Sequence, residues 1–172
     1  MVVGLTEKLR KKLKVTIDSE SISIKGDVNC WHGHYLPWDR KACVVFVNNL
    51  TRYSVVLYGL KASDMKIIDV IFREQLRRNF IVDGIDIGAG ESYIDAMGTI
   101  QYSKTSDRSI LGTINDYFIY ISWKIDDYIT PFATDLDGLN RAANYNISLA
   151  LDRVGLPSTP SFAMKEVIEK LW

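Results

Sequence analysis

Cysteine, histidine and proline are scarce in this chain: two Cys, two His and four Pro among 172 residues. Two thiols, Cys30 and Cys43, cannot build the disulfide framework on which small secreted domains rely, so reduced cysteines and a cytoplasmic location are expected. The N-terminal Met-Val-Val-Gly-Leu-Thr runs directly into charged residues and lacks the apolar core of a signal peptide. No uncharged run approaches membrane-spanning length, which excludes a helical span and leaves no membrane partner to expect. Excess charge is also missing, because Lys+Arg and Asp+Glu are both 21. Without a net positive field, composition argues against nucleic acid as a partner. The most basic stretch, Lys8 to Lys14, reads as the solvated face of a short helix. Walker loops, dinucleotide fingerprints, metalloprotease helices and serine-hydrolase elbows are absent, so the residues give catalysis little support and imply no cofactor.

What is present is ordinary globular composition, 47% hydrophobic and 24% charged, in a length that suits a single domain over 1–172. The expected fold class is α+β: a mostly antiparallel sheet packed with two long helices and shorter C-terminal helices. Lys41–Asn48 and Arg52–Tyr58, rich in β-branched and aromatic residues, read as a hairpin. Cys30–Trp38 and Gly98–Lys104 supply further strands, and Ile22-Ser23-Ile24 suggests an edge strand within a loop. Thr6 is placed to cap a short helix over Leu5–Val15. Met65, Ile68, Phe72, Leu76 and Phe80 repeat at helical spacing after Ser63, with Asp69/Arg73 and Glu74/Arg78 as supporting i,i+4 pairs. The second long helix spans Asp107 to Tyr128, where the length of the periodic run outweighs the strand-like composition of Tyr117–Trp123. Leu136–Leu149 and Ala163–Leu171 read as shorter closing helices, and Glu91–Met97 as a further short one.

The segment from Lys104 to Asp116 is the leading site candidate. A strand passing through Thr105-Ser106-Asp107 into a helix exposes unpaired N–H groups, beside which Lys104, Arg108 and Ser109 can hold an anion. Capping by Ser106 or Asp107 is the competing reading of those same N–H groups. Gly112 within the helix suggests a close approach, and Asn115 and Asp116 return to the face of Arg108. A structural role for Arg108 and Asp116, anchoring the helix to loops, stands beside the functional one. Trp31, Trp38, Tyr53, Tyr58 and Tyr102 lie near Arg40 and Arg52 in the strand region, with His32 beside Trp31, and an aromatic and guanidinium wall of that kind would suit a nucleotide-like ligand. Both cysteines and both histidines fall within Cys30, His32, His34 and Cys43, a set with the right donors for zinc but none of the familiar spacings.

Several segments resemble a bacterial and mobile-element domain family of unknown function. They are Trp31-His32, Lys41-Ala42-Cys43-Val44-Val45-Phe46-Val47-Asn48 and, most sharply, Lys104-Thr105 through Arg108-Ser109, Leu111-Gly112 and Asn115-Asp116. The resemblance covers about residues 1 to 125, continues faintly at Leu139-Asn140-Arg141, and implies relatives without implying a mechanism. The expectation is a non-catalytic binding module for a small anionic, nucleotide-like ligand. A zinc-dependent or zinc-stabilised protein and a protein-interaction module, inhibitor or adaptor, stand as alternatives, and a homo-oligomer stays open.

Overall fold

The computed structural model describes residues 1–17, 27–105 and 108–172. Among these, five strands form one sheet: β1 (Val2–Leu5), β2 (Cys30–Trp38), β3 (Lys41–Asn48), β4 (Ser54–Leu60) and β5 (Gln101–Lys104). Their order is β4-β3-β2-β1-β5. Seven α-helices accompany them: α1 (Glu7–Leu13), α2 (Ile68–Val82), α3 (Ile87–Ala96), α4 (Arg108–Tyr128), α5 (Leu136–Asn144), α6 (Leu149–Asp152) and α7 (Pro160–Leu171). The fold is α+β. The expected edge strand at Ile22–Ile24 lies outside the described residues.

The β2–β3–β4 meander is antiparallel, as its alternating apolar residues require. β1 is parallel to both β2 and β5, so the sheet is mixed. Four residues are too few to display a strand period, which is why β1 is invisible in the sequence; Thr6 does stand at the N-cap position of α1, but its side chain makes no capping hydrogen bond. β1 leads into α1 on one face of the sheet, and β5 leads into α4 on the other.

Alternate residues of β3 serve two cores. Val44 and Phe46 face α1, α2, α3 and α7, where Phe72 packs edge-on against both Trp31 and Phe46. Trp31 Nε1 donates to Tyr93 Oη at 3.0 Å, and that hydroxyl donates to Val28 O at 2.6 Å, so the largest buried ring has no unmet donor. Cys43, Val45 and Val47 face Ile114, Tyr117, Ile121 and Ile125 of α4. Burial of that stripe explains why 117–123 is helical despite its β-branched and aromatic content. α1 packs tightly because β2 carries Gly33 beneath it: a Cβ there would meet Leu9 Cδ2 at 2.8 Å and Phe46 Cε1 at 2.9 Å.

Three expectations change in detail. The helix after Ser63 opens as a 3-10 turn over Asp64–Ile67 before α2 begins. Arg73 does not pair with Asp69; it donates to Ile94 O at 2.9 Å and to Gly98 O, tying α2 to the end of α3. The helix from Leu136 stops at Asn144 and resumes as α6, because Ser148 N donates to Ser158 O at 2.7 Å and pulls the chain off the helical path.

β4 is an edge strand, yet its outward backbone groups at Ser54 and Val56 are paired. Asn140 Oδ1 accepts from Val56 N at 2.7 Å while its Nδ2 donates to Val56 O at 3.0 Å. Asn144 repeats the pattern on Ser54, at 2.7 and 2.9 Å. The match is geometric: residues four apart on a helix rise about 6 Å, and residues two apart on a strand about 6.8 Å. Asn79 Nδ2 of α2 adds a bond to Asn140 Oδ1 at 3.0 Å, and Gln75 Nε2 bridges Asn79 Oδ1 and Asp137 Oδ1, both at 2.9 Å. Replacing Asn140 by Leu keeps the volume and strands a buried N–H and C=O, each worth about 1–3 kcal/mol. N140L and N144L should each lower stability by about 3 kcal/mol in urea unfolding, moving the midpoint with little change in slope.

Candidate functional site

The structure disperses most of the residues that the sequence nominates. Lys104 is exposed at the end of β5 beside Leu5, with Thr105 half-buried after it. Ser106 and Asp107 lie outside the described residues, as do the side chains of Arg108 and Ser109, whose backbone forms the first turn of α4. Asn115 and Asp116 are exposed about 12 Å further along the helix, eight residues at 1.5 Å each. Asp116 borders a cavity of about 300 Å³ with Tyr117, Asn146 and Ser148. Among the described residues, nothing lies within 4 Å of a Cβ added at Gly112.

Trp31 is wholly buried in the core. His32 is also buried, with Nδ1 2.7 Å from Asn49 Oδ1, which ties β2 to the β3–β4 turn. Arg40 sits at the β2–β3 tip and Arg52 in the β3–β4 turn, at opposite ends of β3 and roughly 23 Å apart at 3.3 Å per residue. They form no common wall. Arg52 donates instead to Asn49 O.

Among the described residues, no three or more His, Cys, Asp or Glu side chains are placed to hold a metal ion. Register gives the reason. Cys43 stands opposite Leu36 and Tyr58, past the end of the Cys30, His32, His34 row, and is buried under α4. Burial pushes its thiol up to about 12, which disfavours the thiolate that metal binding or nucleophilic attack would require. His34 is held below the usual imidazole range, first by burial and then by the charge of Lys8.

A different set of residues converges. α1 buries Leu9 and turns Lys8, Lys11 and Lys12 outward, an arrangement fixed by its close seat on Gly33. Glu7 accepts from Arg10 at 2.8 and 2.9 Å, a pairing that holds its carboxyl down at about 2, and it also lies 3.5 Å from Lys11. Lys14 caps the helix in the left-handed region at φ 56°, a position that normally selects glycine. From the opposite side, Lys61 follows β4 and Lys66 lies in the 3-10 turn. Asp64, the acid between them, is engaged: its Oδ2 accepts from Lys61 N at 2.8 Å.

These elements enclose two adjoining hollows. One, of about 340 Å³, has Lys12, Lys14, Lys61 and Lys66 around Tyr35 and Met65. The other, of about 620 Å³, is bounded by Lys8, Lys11, Lys12, Lys14, Tyr35 and Pro37. Lys12, Lys14 and Tyr35 belong to both, and Lys12 Nζ lies 5.0 Å above the Tyr35 ring. No carboxylate, imidazole or thiol lines either hollow among the described residues. Such a surface can hold multiple negative charges.

The Lys8–Lys14 run is conspicuous in the sequence, but its partners lie some fifty residues away and are brought in by the β2–β3–β4 meander. The Cys43 assignment has a direct check. In native protein at pH 8, Cys43 should resist a thiol reagent and react only at the rate of unfolding; rapid labelling of folded protein at that position would contradict its burial.

The model of the domain of unknown function DUF6933 matches residues 2–153, which contain the sheet, α1 to α6 and both banks of the lysine groove. No curated protein matches the chain. The extent of that match places the chain in the DUF6933 family.

Proposed function

We propose that the protein is a non-catalytic binding module for a small, multiply anionic ligand, held in the groove between α1 and the segment following β4. One observation carries this reading. Lys12, Lys14, Lys61 and Lys66, from separate parts of the chain, meet around one hollow, and among the described residues none of their ammonium groups lies within 4 Å of a carboxylate. Four like charges held near one another repel, a cost that a polyanion relieves. The hollow's 340 Å³ falls within the range of small-molecule sites, roughly 300–1,000 Å³.

Lys14 adds weight. A non-glycine residue in the left-handed region costs about 1 kcal/mol, and glycine would cap α1 without that cost. The chain keeps a cation there instead, at the point where both hollows meet. Lysine rather than arginine suits a site read by charge and not by the geometry of a fork. The Lys104–Asp116 segment remains a second place where an anion could be sought, but its charged members are spread along β5 and α4.

Isothermal titration with inorganic tripolyphosphate gives the test. Wild type should bind with an affinity that weakens as salt rises. K12E and K61E should each reduce binding about tenfold, equivalent to about 1.4 kcal/mol, while leaving the melting temperature nearly unchanged because both side chains are exposed. Undiminished binding in the K12E/K61E double variant would assign the anion site elsewhere.

A further inference from the structure

From the same groove we infer a longer ligand: a single strand of nucleic acid, whose phosphate backbone runs from Lys8 and Lys11, past Lys12, Tyr35 and Lys14, to Lys61 and Lys66. This rests on the anion-binding reading above and extends it from one hollow to two. The two hollows share three lining residues and form one trough, whose larger part, about 620 Å³, exceeds what a few phosphates need. All six cations along it are lysines, which hold phosphates as point charges. Its floor is apolar, formed by Tyr35, Pro37, Leu13, Ala42, Leu60 and Met65, where sugars and base faces can lie. No Asn, Gln, Ser or Thr lines the trough among the described residues, so nothing on its walls reads base edges. A basic groove that can follow a backbone, with one aromatic ring, Tyr35, in an apolar floor and no base readout, fits the physical form of sequence-tolerant single-strand binding.

The balanced total of 21 cationic and 21 anionic residues does not oppose this. A protein with no net charge loses long-range attraction, whereas contact between phosphates and lysines depends on the local field within about 10 Å. Four carboxylates, Asp126, Asp127, Asp135 and Asp137, lie away from the trough near the junction of α4 and α5, while Asp64 and Glu7 flank it, Glu7 3.5 Å from Lys11. Glu7, the acid nearest the trough on α1, is bound to Arg10.

Fluorescence anisotropy with labelled oligothymidylates of three and twelve nucleotides, with tripolyphosphate and ATP as competitors, tests the inference. The twelve-nucleotide strand should bind at least tenfold more tightly than the three-nucleotide strand. Its affinity should fall with salt at a logarithmic slope of about −3, roughly 0.7 for each of four neutralised phosphates. An oligoadenylate of equal length should bind within about threefold of the thymidylate, since stacking tolerates any base. The K8E/K11E variant separates the two readings, because both residues line only the larger hollow. It should weaken the long strand about tenfold and leave tripolyphosphate binding within threefold. If ATP or tripolyphosphate bind as tightly as the long strand and length has no effect, the nucleic-acid inference fails and the small-anion reading stands. Preference for linear polyphosphate over an oligonucleotide of equal charge also overturns it. Absence of binding by every probe removes both.

Discussion

The pairing of two asparagine side chains with the open edge of β4 is the constraint on which the rest of the architecture depends. An edge strand exposes N–H and C=O groups that cannot be buried unpaired and that otherwise recruit another strand. Here a primary amide, which carries one acceptor and a donor side by side, copies what a neighbouring strand would offer. Because Asn140 and Asn144 are one helical turn apart, the orientation of α5 is fixed relative to Ser54 and Val56. That in turn sets where Leu139 and Ala143 meet α4, and the Asn79 and Gln75 bonds extend the same network into α2. One polar seam therefore joins the helices on both faces of the sheet.

With Ser54 and Val56 of that edge covered by α5, the end of the meander remote from the β3–β4 turn carries the lysine groove. β4 ends there at Leu60, β2 presents Tyr35, and Gly33 brings α1 down close enough for its lysines to share a groove with Lys61 and Lys66. Each of these placements follows from packing or register. The gathering of Lys12, Lys14, Lys61 and Lys66 around one hollow belongs to the surface and not to the core. The lysines gathered around that hollow are the observation on which the proposed anion binding rests.

The sequence displays the elements that have long periods and hides those whose meaning depends on partners. α2 and α4 are legible because apolar residues recur over four turns or more, and the β3–β4 hairpin because β-branched residues cluster on both sides of a short turn. β1 is too short to show a period, and its parallel pairing to β2 and β5 is a property of the whole chain. The asparagines of α5 look like ordinary polar residues until the strand edge lies beside them. The Cys and His residues cluster along the sequence, yet strand register carries Cys43 past the histidines and under α4. The groove is the opposite case: its lysines are separated in sequence and collected by the fold, so a charge run that reads as a solvated helix face is only half of it.

Backbone amide shifts during titration of the labelled protein with inorganic tripolyphosphate test the central claim most directly, since they report where the anion sits without a variant. The largest changes should fall on Lys12, Lys14, Tyr35, Lys61 and Lys66, the residues around the smaller hollow. Changes confined to Lys104–Asp116, or to the cavity of Asp116 and Asn146, with the groove unmoved, would contradict the assignment.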